Sequence, residues 1–189
     1  LKTMDKDGMQ TLSTDDIFKG KKVALFALPG AFTPTCSAKH LPGFVTQAEA
    51  LKAKGVDTIA CLSVNDAFVM DAWGKAQNTG DKVLMLADGN ADFSKAVGLT
   101  MDGTGYGMGM RASRYAMVVD DGTVKALNVE APGAFEVSAP CADCFGVWTT
   151  DSGTLSLADG VLRALKASHG VIMQAAAEAY PASIEPPRK

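Results

Sequence analysis

Residues 22–43 read KVALFALPGAFTPTCSAKHLPG, and the order of features in this stretch decides the fold. Lys22 to Leu28 is a continuous apolar run, short enough for a buried strand. The turn Pro29–Gly30 ends it. A helical pattern then runs from about Pro34 to Lys54 and stops at Gly55, with Pro42 and Gly43 inside it. Pro42 has no N–H to give to the carbonyl of Ala38, so a kink is predicted there. Val56 to Ser63 (VDTIACLS) reads as a second buried strand. Right-handed crossovers are expected between such strands.

The rest of the chain extends this unit. Asn65 is a suitable N-cap for a helix over Ala67 to Ala76, with an apolar stripe of Phe68, Ala72 and Trp73. Val83 to Ala87 reads as a third strand, and Asp92 to Val97 as a short helix closed by Gly98. Thr100 to Gly109 holds four glycines and reads as a loop. Two β-rich runs, Tyr115 to Val119 and Thr123 to Val129, flank Asp121–Gly122 and predict a hairpin. Ala131 to Gly153 is irregular and contains Cys141-Ala-Asp-Cys144. Leu155 to Lys166 (Leu155, Ala158, Leu162, Leu165) and His169 to Tyr180 are helical by spacing, and Pro181 to Lys189 is a tail. This order predicts an α/β fold, a central mixed β-sheet flanked by helices. Nothing divides the chain in two, so one domain is expected over 1–168, followed by a C-terminal helix and tail at 169–189.

Composition agrees with one ordinary domain: 189 residues, 47% hydrophobic and 21% charged. A chain of this length buries a core without covalent staples. The net charge of −3 argues against non-specific nucleic-acid binding and against docking on an anionic membrane. No apolar run reaches the length of a membrane span. The chain begins at Leu1, so any targeting peptide would lie outside it.

The chemistry centres on cysteine. Of the four, Cys36, Cys61, Cys141 and Cys144, the first stands where a strand has ended and a helix begins. Orphan N–H groups and the positive end of the helix dipole favour negative charge there, and the thiolate is the nucleophilic form of the residue. Thr33, three residues earlier, can set a hydroxyl beside the sulfur, Pro34 fixes the entry into the helix, and Pro29 helps to close the pocket against water.

The segment PGAFTPTCSAKHLPGFV at 29–45 resembles the active-site segment of the peroxiredoxins. Their Pro-x-x-x-Thr-x-x-Cys pattern is matched at Pro29, Thr33 and Cys36. Together with CLSVNDAFVMDAW (61–73), LADGNADF (86–93) and RYAMVVDDGTVKALNVE (114–130), it is similar to the type II, atypical two-cysteine branch. The resemblance covers about residues 10 to 138. It implies a thioredoxin-like fold, a hydroperoxide substrate, a sulfenic acid intermediate, and no metal or organic cofactor. It also implies that Arg114, at the start of the strand after the Gly-rich loop, holds the thiolate and the peroxide; a guanidinium, planar and always charged, suits that task. Arg111 is a weaker candidate near the rim.

Plant-like members of the branch resemble this chain at Cys61, where they carry the resolving cysteine; in animal-like members the aligned position is about Ser138. Local pattern alone makes Cys61 a core filler in an apolar strand. Cys141 and Cys144 fall in a stretch, about 139–154, that looks like an insertion, and they read either as incidental surface thiols or as alternative resolving cysteines. A zinc site would need two further ligands, and the chain has only His40 and His169 to offer. His40 can be read as a general base or as structural. The resemblance further implies a homodimer, paired near Phe32, Thr79–Gly80 and the Gly-rich loop. Glutaredoxin with glutathione, or thioredoxin, is the expected reductant. The cysteine usage reads as a reducing compartment: cytoplasm, or chloroplast or mitochondrion if a transit peptide has been removed. A disulfide oxidoreductase would need C-x-x-C at the helix start, and Ser37 to Lys39 give Cys36 no such partner.

Overall fold

A computed structural model of the chain describes residues 1–140. Its centre is β3 (Lys22–Leu28), whose side chains alternate between two cores. Ala24, Phe26 and Leu28 point into one layer; Val23, Leu25 and Ala27 point into the other. A strand covered on both faces needs apolar residues at every position, which is why the run is unbroken. β4 (Thr58–Ser63) lies parallel to β3 with Phe26 opposite Cys61, and β5 (Leu84–Ala87) lies parallel to β4. On the other side β8 (Tyr115–Asp120) runs antiparallel to β3 and forms a hairpin with β9 (Thr123–Val129). The predicted central mixed sheet is therefore present.

Two features escape the sequence reading. The N-terminus forms β1 (Lys2–Asp5) and β2 (Gly8–Thr11), which complete a seven-stranded sheet in the order β2-β1-β5-β4-β3-β8-β9. A short α1 (Thr14–Phe18) follows, started by a capping box between Ser13 and Asp16. The predicted loop at 100–109 contains β6 (Thr100–Asp102) and one turn of 3-10 helix at Thr104–Tyr106; β6 pairs with β7 (Met110–Ala112) as a separate two-stranded ribbon. The glycines masked that pairing because each strand is only three residues long.

The helix after β3 opens at Pro34 and ends at Ala53, but it is not one regular α-helix. Residues Cys36–His40 form a π-helical turn, in which the Leu41 N–H donates to the Cys36 carbonyl. α2 (Leu41–Ala53) continues from there. The irregularity foreseen at Pro42 is thus taken up one turn earlier: the helix is continuous through Pro42, and the π-turn just before it is where the regular α-helical bonding gives way. Such π-turns concentrate at functional sites. α2 packs Leu41, Phe44, Ala48 and Leu51 on the Phe26 face, and Phe44 stacks on Phe26 with centroids 3.9 Å apart. Gly43 lets Pro140 cross α2 closely, since a Cβ there would lie 2.9 Å from Pro140 Cγ.

α3 (Ala67–Ala76) packs on the same face, whereas α4 (Asp92–Ala96) and α1 cover the other. The stripe assigned to α3 needs correction. Its buried face is Ala67, Met70, Trp73 and Gly74; Phe68 and Ala72 are exposed, and the N-cap is Asp66 rather than Asn65. The insertion at about 139–154 from Cys141 onward, Cys144 included, and the helices expected at Leu155 to Lys166 and His169 to Tyr180, lie outside the described residues.

Candidate active site

The turn between β3 and the helix sets the geometry. Asn65 Oδ1 accepts from the Ala31 N–H at 3.0 Å and so fastens this turn to the end of β4. Phe32 sits at φ 60°, a strained value for a bulky residue, and reverses the chain so that Thr33 and Pro34 can enter the helix. The first amide bonded back along the helix is that of Ser37, to the Thr33 carbonyl at 3.0 Å. Cys36 therefore lies in the first turn, where negative charge is favoured. Its thiol is fully buried. Trp73 closes one side, donating from Nε1 to Ser37 Oγ at 3.1 Å.

Arg114 also reaches this sulfur. It immediately precedes β8, the strand next to β3, and its Nη2 lies 3.4 Å from Cys36 Sγ. Two residues singled out in the sequence, Arg114 and Cys36, are thus brought together. Thr33 Oγ1 donates to the Gly30 carbonyl at 2.8 Å, which uses its one proton and leaves its lone pairs as acceptors. Pro29 ends β3 beside this turn and is half-buried. Arg111 does something else: its Nε and Nη1 donate to the carbonyls of Met108 and Val64, both at 2.8 Å, bracing the Gly-rich segment against β4.

His40, read from sequence as a base or a structural residue, is joined to Arg114. Arg114 Nη1 donates to its Nδ1 at 3.1 Å, and Nε2 faces the Ser138 carbonyl at 3.2 Å. A guanidinium only donates and a carbonyl only accepts, so the proton must sit on Nε2 and the lone pair on Nδ1. Burial, aided by the Arg114 charge, pushes the His40 pKa down to about 3. The ring stays neutral at physiological pH, and its lone pair is occupied by Arg114 rather than free for general-base work. Neither link had a signal in the sequence, because Ser138 stands 98 residues from His40.

Cys61 is in the middle of the sheet, between Phe26 and Met85, and fully buried. It points into the same core layer as Cys36. Burial, and secondarily the nearness of Cys36, pushes its thiol well above the ordinary range. In this reduced form it is a protonated core residue. Among the described residues no group of His, Cys, Asp and Glu could hold a metal ion. None of their helices is long and apolar enough to cross a membrane.

The family model described as Redoxin matches residues 1–139. The chain is 51% identical over 133 residues to Peroxiredoxin-2E, chloroplastic, of Arabidopsis thaliana, covering 69% of this chain and 57% of that protein. It is 50% identical over 135 residues to Peroxiredoxin-2B of Arabidopsis thaliana, covering 71% and 83% respectively. The match thus spans little more than half the length of the first relative. Among solved structures, reduced Prx3 from Vibrio vulnificus in complex with hydrogen peroxide is similar with a TM-score of 0.73 and 56% identity, over 78% of this chain and 91% of that one. A buried cysteine opening a helix, an arginine on its sulfur and these similarities lead to one assignment: the chain belongs to the Redoxin family, among the type II peroxiredoxins of the plant and cyanobacterial kind.

Proposed function

We propose that this protein is a thiol peroxidase that reduces hydrogen peroxide and small alkyl hydroperoxides through Cys36, serving antioxidant defence and redox homeostasis. The observation that carries the reading is the Arg114 guanidinium 3.4 Å from a buried sulfur in the first turn of a helix. The relative solved with hydrogen peroxide supports the choice of substrate. The Cys36 thiolate attacks one peroxide oxygen. The S–O bond forms as the O–O bond breaks, and the departing alkoxide or hydroxide takes the proton of the attacked hydroperoxide. This leaves Cys36 as a sulfenate and releases an alcohol or water; the sulfenate takes up from solvent the proton that the thiol lost on forming the thiolate, which gives the sulfenic acid. Arg114 stabilises charge on sulfur and on the leaving oxygen. Thr33 Oγ accepts from the peroxide hydroxyl, its own proton being held by Gly30. Pro29 shields the pocket.

A second thiol then condenses with the sulfenic acid, releasing water and forming a disulfide, and a dithiol reductant restores Cys36 by exchange. Steady peroxide consumption by purified protein is expected with glutaredoxin plus glutathione or with thioredoxin, and comparing the two identifies the reductant. A single oxidation event without turnover in either system would instead describe a peroxide sensor. A reducing compartment, cytoplasmic or organellar, follows from this chemistry; two of the plant relatives are named chloroplastic.

Cys61 is our candidate for the resolving thiol. It shares a core layer with Cys36, and the first, π-turned part of the helix is short and irregular, which lowers the cost of unwinding it. A bridge needs the two Cα atoms within about 7 Å. Cys61 is pinned on both sides by β3 and β5, so resolution also requires β4 to loosen. Peptide mapping of peroxide-treated protein is expected to give a Cys36–Cys61 disulfide. A Cys36–Cys141 or Cys36–Cys144 peptide, with Cys61 free, would transfer the role to the later pair.

A homodimer is the expected assembly. Phe32, Phe68, Tyr106 and Met110 are exposed apolar residues on the turn before Cys36, α3 and the Gly-rich ribbon. Light scattering at several concentrations should show twice the chain mass; monomer throughout would contradict it.

A further inference from the structure

Glu130 immediately follows β9, across from Arg114, and its N–H donates to the Arg114 carbonyl at 2.9 Å. Its carboxylate does not reach the active site. Instead one oxygen, Oε1, accepts from four donors: the N–H of Glu136 at 2.7 Å, of Val137 at 2.8 Å, of Ser138 at 2.7 Å, and Ser138 Oγ at 2.8 Å. Four bonds on one carboxylate oxygen tie residues 136–138 to the Glu130 side chain. Ser138, fully buried, then presents its carbonyl to His40 Nε2. His40 turns its other nitrogen to Arg114 Nη1, and Arg114 Nη2 meets Cys36 Sγ. The chain of bonds starts at the side chain of Glu130 and returns to its backbone through Arg114. Phe135, the residue just before that segment, packs on the His40 ring at 5.0 Å and under the Arg114 guanidinium at 5.7 Å.

We propose that Glu130 is a positioning residue for the Cys36 site: by fixing residues 136–138 it sets the His40 tautomer and, through it, the placement of the Arg114 guanidinium on the sulfur. The proposal rests on the peroxidase reading for its kinetic consequence, but not for the structural link. Ordinary surface glutamates end a strand in solvent. Glu130 is buried, and hydrogen bonds from Ser138, Glu136 and Val137 outweigh the opposing effect of that burial and hold its carboxyl below the usual range. It is therefore ionised while the site works. The geometry to be kept is the acceptor oxygen, so a neutral side chain of the same shape should serve.

The test compares Glu130→Ala, Glu130→Asp and Glu130→Gln, with two readings on each. The first is the rate of Cys36 oxidation by hydrogen peroxide. Glu130→Ala and Glu130→Asp are expected to lose ~10- to 10²-fold, the usual range for misplacing a group that acts on the reacting atoms. Glu130→Gln should restore most of the rate. The second is the ¹⁵N chemical-shift pair of the His40 ring, which should report the Nε2–H form in the native protein and in Glu130→Gln, and tautomer exchange in Glu130→Asp and Glu130→Ala. If Glu130→Ala does not fold, Glu130→Asp carries both readings, because it keeps the charge and withdraws the oxygen. A native rate or an unchanged His40 tautomer in Glu130→Asp overturns the proposal. Absence of any reaction of native protein with peroxide would overturn the peroxidase reading, and the nitrogen shifts would still decide the relay.

Discussion

Cys36→Ser is expected to abolish peroxide consumption while leaving the fold intact. The hydroxyl is nearly the size of the thiol, and the site offers it a partner: Arg114 Nη2, which lies 3.4 Å from Sγ, can donate to Ser Oγ. No buried group is left unpaired, so thermal stability should change little. The chemistry is lost because a serine hydroxyl is not ionised at neutral pH and has no adjacent base. His40 cannot supply one, since its free lone pair is already used by Arg114. Substantial residual turnover in Cys36→Ser, measured as hydrogen peroxide loss with excess reductant, would show that another thiol carries the activity.

Arg114→Ala has the second largest expected effect. The guanidinium is the one cation within hydrogen-bonding distance of the sulfur among the described residues, and it also orients His40. Loss of one electrostatic donor at a reacting centre typically costs ~10²-fold or more, and the same is expected for the second-order rate with peroxide. Arg114→Lys should recover little of it, because a lysine ammonium cannot engage the sulfur and His40 Nδ1 with the fixed spacing of the guanidinium fork. Thr33→Val should slow the reaction less, as it removes an acceptor and leaves the charge in place. An unchanged peroxide rate in Arg114→Ala would refute the role given to this arginine.

The fold was legible where local pattern and tertiary placement agree. The run Lys22 to Leu28 was readable as a doubly buried strand because burial on both faces forbids polar residues, and the hairpin at Asp121–Gly122 because that turn dictates its own sequence. The N-terminal hairpin gave no comparable signal: β1 and β2 are four residues each and half exposed at the sheet edge. Phe68 misled for a different reason. Helical spacing says which residues share a face, but not which face meets the core, and on α3 Met70 and Trp73 took that place.

The site divides in the same way. Cys36, Thr33 and Pro29 lie within eight residues of one another, and their order is a motif. Arg114 is far along the chain but was reachable through the family resemblance. The link joining Glu130, Ser138 and His40 was not, because it runs through a backbone carbonyl and through amides that every residue possesses. Only the path of residues 130–138 across the helix shows that they belong together.

The most direct measurement is to give the reduced protein one equivalent of hydrogen peroxide in the presence of dimedone, a carbon nucleophile that traps sulfenic acids, and to map the labelled peptide by mass spectrometry. The expected result is rapid labelling of the peptide containing Cys36, with Cys61, Cys141 and Cys144 unlabelled. Labelling of any of those three with Cys36 left as a free thiol, or oxidation of Cys36 no faster than that of free cysteine, would contradict it.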